Sequence, residues 1–121
     1  MKTVLVPVDL SRVSARVGDA AVALARASGA KLVLLHVVPP PAVTLRGYGF
    51  AAAEVRTMMA ALEKRALRRL LALARRCQLR GVAVQAILRT GAPAATILAK
   101  AGSLHAAMIV LGSHGHSAAY D

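Results

Sequence analysis

Apolar residues along the chain follow two patterns: short continuous runs, and longer stretches with apolar positions three or four apart. The continuous runs are Thr3–Val8 (TVLVPV), Lys31–Val38 (KLVLLHVV), Val82–Leu88 (VAVQAIL) and Ala106–Gly112 (AAMIVLG). Each has the length of a strand, and unbroken hydrophobicity predicts strands covered on both faces. Gln85 marks the third run as an edge strand. Between the first two runs, Val13, Val17, Ala20 or Ala21, and Leu24 recur at helical spacing. That helix has a candidate N-cap at Ser11 and a stop at Gly29. Val55, Met59, Leu62, Ala66, Leu70, Leu73 and Cys77 form a longer apolar stripe that ends at Gly81. The methionines in it are core filler. Pro93 suits the first position of a short helix over Ala94–Ala101, with Ile97 and Leu98 facing inward. Residues 39–52, rich in Pro and Gly, read as a loop.

The order β-α-β-α-β-α-β predicts an α/β fold: a doubly wound parallel sheet with helices on both faces and right-handed crossovers. Ligands of such sheets bind beyond the carboxyl ends of the strands, where the strand order reverses. Three loops project there: Asp9–Ser11, Val37–Pro41 and Gly112–Ser117. Candidate chemistry is therefore sought in these loops.

Composition narrows the picture. The 121 residues are 57% hydrophobic and only 2% aromatic, so the core is aliphatic. One domain spanning residues 1–121 is expected. No apolar run reaches the ~18 residues that span a bilayer, and the N-terminus lacks the features of a signal peptide. The lone Cys77 excludes an internal disulfide and fits a reducing compartment, so a cytoplasmic location is expected. The net charge of +11 raises nucleic-acid binding as one reading. Seven of the twelve arginines fall between Arg56 and Arg80, with Lys64 among them. A solvated helix face explains them equally, and the scarcity of aromatic residues weakens a single-strand binding reading.

Gly112 and Gly115 would let the backbone approach a phosphate, with Ser113 and Ser117 offering hydroxyls. Asp9 either caps the following helix or contacts a ribose hydroxyl or a metal ion. His114 and His116 have no third ligand in view and make a poor metal site. His36, in an apolar strand, reads as a satisfied core histidine, and His105 as a surface-turn residue. No nucleophile–base–acid set or carboxylate pair can be assembled from five dispersed acidic residues. A phospho-receiver reading fails because Arg89-Thr90 stands where it needs an Asp.

Four stretches, VLVPVDLS, LLHVV, GAPAATIL and MIVLGSHG, together resemble the universal stress protein family. The resemblance implies a fold similar to the adenine-nucleotide α-hydrolases, with five parallel strands ordered 3-2-1-4-5 and usual dimerisation through the last. It also implies a role in sensing or regulation, with at most slow ATP hydrolysis. Pro7, Val8 and Asp9 would then line an adenosine pocket, and Val37 would offer its backbone to adenine. Leu111, Gly112, Ser113, His114 and Gly115 would meet the ribose and phosphates of ATP, with or without Mg2+. The family's nucleotide motif continues with nine residues and a closing Gly-Ser. Those would fall at 125 and 126, beyond Asp121. Four of the five strands are therefore expected, with the fourth presenting a hydrophobic edge. A partner-binding module acting through that edge, and a basic nucleic-acid binder, stand as alternatives.

Overall fold

A computed structural model of the chain describes residues 2–41 and 49–112. Four parallel strands form one sheet in the order β3-β2-β1-β4. They are β1 (Thr3–Pro7), β2 (Lys31–Val38), β3 (Val84–Thr90) and β4 (Met108–Ile109). Among the described residues three helices connect them: α1 (Ser14–Ser28), α2 (Ala52–Gln78) and α3 (Pro93–Ser103). The α/β parallel-sheet reading holds, and β3 is an edge strand as Gln85 suggests. The second run is a strand at the limits read from sequence. The third strand starts and ends two residues later than expected, and β4 is much shorter than Ala106–Gly112.

Strand β2 explains why its run is continuous. Leu32 and Leu34 face one side and pack with Val4 and Val6 of β1 against α1 and α2. Val33, Leu35 and Val37 face the other side, with Leu5 and Ile87, beneath Ile97, Ala101 and Leu104. Both faces being covered, the strand is apolar from Leu32 to Val38 except at His36, near its end.

Two helix faces differ from the sequence reading. The buried face of α1 is Ser14, Gly18, Ala21, Val22 and Ala25; of the expected residues Ala21 is buried, Val17 is half-buried against the core, and Leu24 is exposed. Small residues win because α1 must sit close to both the sheet and α2. A Cβ on Gly18 would stand 3.3 Å from both Cys77 Sγ and Leu73 Cδ1. Glycine costs a helix interior about 1 kcal/mol relative to alanine; here it permits that approach. Leu98 of α3, expected inward, is 68% exposed.

In α2 the predicted stripe is buried at Val55, Leu70, Leu73 and Cys77, while Leu62 is 51% exposed. Length is the reason. Twenty-seven residues of helix run about 40 Å. The eight residues of β2 run only about 26 Å. The part of α2 before Glu63, which accepts from Thr90 Oγ1 at the end of β3, therefore extends past the carboxyl end of the sheet, where only Val55 is buried. At its other end Asp19 of α1 accepts two hydrogen bonds from Arg76 and one from Arg80. The Arg76 guanidinium holds the Asp19 carboxyl below its usual range, so the pair stays charged at neutral pH. Burial pushes the Cys77 thiol up. Among the described residues no helix is long and apolar enough to cross a membrane.

The overhang generates a contrast within one helix. Leu70→Ala should lower unfolding free energy by about 2–5 kcal/mol. Leu62→Ala should change it by no more than about 0.5 kcal/mol. Urea titrations of both variants check this; equal losses would mean that α2 lies flat along the sheet.

Candidate functional site

Strand order places the chain reversal between β1 and β4, and the strands separate there for two local reasons. The Leu5 carbonyl still accepts from Val110 N–H at 2.9 Å. The next donor owed to β4 by ladder alternation is residue 7, and proline has no N–H to give. On the other side, Val8 N–H donates to Leu35 O at 2.8 Å. The Val8 carbonyl is then taken by His36 Nδ1 at 2.7 Å rather than by the backbone of β2. A carbonyl can only accept, so Nδ1 carries the proton. His36 is thus the satisfied histidine expected from sequence, and its bond closes the β1–β2 ladder.

Strand β2 continues beyond this point, pairing with β3 as far as Val38↔Thr90. N–H and C=O of one strand residue point to the same side, and successive residues alternate. Leu35 bonds toward β1 and Val38 toward β3, where its carbonyl accepts from Gly91. Val37 therefore presents both its N–H and its C=O on the β1 side, past the end of β1. Neither group has a hydrogen-bond partner there among the described residues.

The resulting cleft has a volume of about 440 Å³, within the range of small-molecule sites. Pro7, Val8, Asp9, Val37, Leu111 and Gly112 all line it, so six of the sequence-predicted residues converge. Ser113, His114 and Gly115, like His116 and Ser117, lie outside the described residues. Its apolar sides come from Val13, just before α1, from Val17 of α1, and from Pro93 and Ile97 of α3. Sequence reasoning does not mark these four as site residues. Pro93 is findable, since it follows β3 at the same end of the sheet.

Asp9 is held in a tight turn. Its Oδ1 accepts from Ser11 N–H at 2.9 Å and from Ser14 Oγ at 3.2 Å. Leu10 between them takes a left-handed conformation, φ 62°, which costs a non-glycine residue about 1–2 kcal/mol. Its side chain packs onto the core beneath α1. Ser11 is not the N-cap: α1 begins after Val13, with Ser11 Oγ accepting from Val13 N–H at 3.3 Å. Beside the phosphate approach expected of Gly112, the structure shows a packing reason for glycine there. A Cβ at that position would overlap Val17 Cγ2.

A sequence model of the universal stress protein family matches residues 1–120. No curated protein matches the sequence. Among solved structures, a universal stress protein family member from Burkholderia pseudomallei is 28% identical, with a TM-score of 0.75. The alignment covers 98% of this chain and 85% of that one. The universal stress protein from Archaeoglobus fulgidus in complex with dAMP is 20% identical, with a TM-score of 0.71. Coverage is 99% of this chain and 87% of that one. A family protein from Arabidopsis thaliana with AMP bound is 21% identical, TM-score 0.64, covering 95% of this chain and 78% of that one.

Gly112→Ala should destabilise the fold by about 1–3 kcal/mol, because the β-branched Val17 cannot swing away within its helix. Adding Val17→Ala should recover most of that loss. A double-mutant cycle by denaturant unfolding reads the coupling, and strict additivity would contradict the contact.

Proposed function

The chain belongs to the universal stress protein family, and from that premise we propose that the cleft beyond β1 and β2 binds an adenine nucleotide. The observation that carries this is the open backbone edge of Val37. The Watson–Crick edge of adenine sets the N6 amino donor beside the N1 acceptor, which complements one carbonyl and one amide N–H on the same side of a strand. Val13, Val17 and Ile97 supply apolar contact for the ring faces. Asp9, fixed by Ser11 and Ser14, would accept from a ribose hydroxyl. The dAMP and AMP complexes of the Archaeoglobus and Arabidopsis proteins support the same ligand class.

The finer parts of the reading are ATP as the form bound and a sensing or regulatory role in the stress response, with occupancy as the signal. Mg2+ would ride on the phosphates rather than in a protein cage. Residues 1–121 would act as one domain in the cytoplasm. A second reading, a module acting through partners or a second copy along β4, is favoured by exposure there. Met108 is 46% and Ile109 37% exposed.

Calorimetric titration with AMP tests the first reading. Micromolar binding is expected, weakened about tenfold by Asp9→Asn, which keeps one oxygen for the turn but removes the charge. Absence of any binding to the folded chain at millimolar AMP would overturn it in favour of the second.

A further inference from the structure

The two faces of the sheet carry very different charge. Helices α1 and α2 cover the side built on Val4, Val6, Leu32 and Leu34, and α3 covers the other. Of the sixteen Lys and Arg, three fall in residues 12–28 and eight in residues 52–80, so eleven belong to the α1–α2 layer. Against them stand three acidic residues, Asp19, Glu54 and Glu63. Residues 91–107, which include α3, hold one cation, Lys100, and no acid. Asp19 is taken up by Arg76 and Arg80, and Glu63 accepts from Thr90. From Lys64 to Arg80 the chain has seven cations and no carboxylate. The positive excess of this layer is therefore concentrated, not balanced in place.

Helical spacing sorts that charge into rows. Ala61, Arg65, Arg68, Ala72 and Arg75 recur at steps of four and three along α2, and all five are exposed. On α1 the matching row is Arg16, Ala20, Ala23 and Ala27, also exposed, with Arg12 in the turn before it. The rows lie opposite the buried faces, Leu70 and Cys77 on α2 and Gly18 and Ala25 on α1. Alanine stands between the arginines, so within each row nothing rises above the guanidiniums. The exposed Leu62, Leu67 and Leu71 of α2 are each one position, about 100°, around the helix from its row. From Ala61 to Arg75 the row is about 21 Å long. Gly18 brings α1 against Leu73 and Cys77 of α2, so the two rows share one plane.

We propose that this plane docks on the phosphate backbone of a double-stranded nucleic acid, without reading its sequence. Phosphate contacts position a protein on a duplex and need only cations set at a regular array. Guanidiniums suit them, since each presents a planar fork of donors to two phosphate oxygens. Over about 21 Å of axis a duplex offers about a dozen phosphates, at one charge per ~1.7 Å. Other polyanions fit the rows less well. An anionic membrane is held by bulky apolar side chains entering the headgroup region, and the rows offer alanine there. A single strand is held by stacking on aromatic rings, and α1 and α2 contain none. A second copy of the chain would set like charge against like. The surface is separate from the adenine cleft: Arg16, Arg68 and Arg75 line neither that cleft nor the hollows beside it.

The test is fluorescence anisotropy of a labelled random-sequence duplex, as DNA and as RNA, titrated with the chain across a range of salt. The proteins are the wild-type chain, an Arg16→Gln/Arg68→Gln/Arg75→Gln variant and a Lys31→Gln/Arg89→Gln/Lys100→Gln control. The control removes the same charge from the side of the sheet that α3 covers. Wild type should bind in the micromolar range at low salt, with log K falling against log[salt] at a slope of about −4. In the row variant the slope should shrink by about 3, and low-salt affinity should fall at least about tenfold. The control should stay within about threefold of wild type. Comparing the two duplexes tells which one the surface prefers; binding of either, lost in the row variant alone, upholds the proposal. Losses equal in variant and control overturn it, because net charge and not this surface would then be responsible. Absence of duplex binding at low salt also overturns it, and co-sedimentation with phosphatidylglycerol vesicles in that case assigns the rows to a membrane. Circular dichroism establishes that each variant is folded. An AMP titration of the row variant keeps the outcome separate from the adenine reading.

Discussion

The end of β1 is the constraint on which the rest of the site depends. Pro7 withholds the donor that would extend pairing to β4, and His36 takes the Val8 carbonyl that would extend pairing to β2. Neighbouring strands therefore part at one level on both sides of the central strand. The cost is small: two ladder hydrogen bonds, one of them replaced by the imidazole. In return the sheet acquires a crevice with an unused strand edge at Val37. Asp9, at the lip of that crevice, cannot wander, since Ser11, Ser14 and the packed Leu10 side chain hold its turn.

Much of this architecture is legible in the residues themselves. An unbroken apolar run with β-branched residues reads as a strand covered on both sides, and β2 is one. Topology and family resemblance put Pro7, Val8, Asp9, Val37, Leu111 and Gly112 at one end of the sheet, and they do meet there. The inward face of α1 escapes a size-ranked pattern, which favours Val17 and Leu24. Close packing against α2 adds Gly18, and of Ala20 and Ala21 it takes Ala21. Leu62 and Leu98 look inward by periodicity, which carries no information about where the neighbouring layer ends. The open hydrogen-bonding groups of Val37 are beyond reach for the same kind of reason, as they arise from ladder register rather than from residue type.

Charge gains meaning only from position. Arginines from Arg56 to Arg80 look alike in sequence, as one basic stretch of a long helix. In the fold, Arg76 and Arg80 fasten the end of α2 to α1 through Asp19. Arg65 and Arg69, near its middle, line a hollow that shares Asp9, His36 and Pro39 with the cleft. One helix thus serves the core with Leu70, Leu73 and Cys77, the inter-helix tie with its last turns, and the approach to the cleft with its middle.

The central claim is that adenosine is recognised by the Val37 edge between the diverging strands. Amide chemical-shift mapping of the 15N-labelled chain during titration with adenosine addresses it most directly. The account predicts the largest shifts at the Val37 amide, with smaller ones at Val8, Asp9 and Gly112. Saturable shifts that leave Val37 unmoved and cluster elsewhere would contradict it.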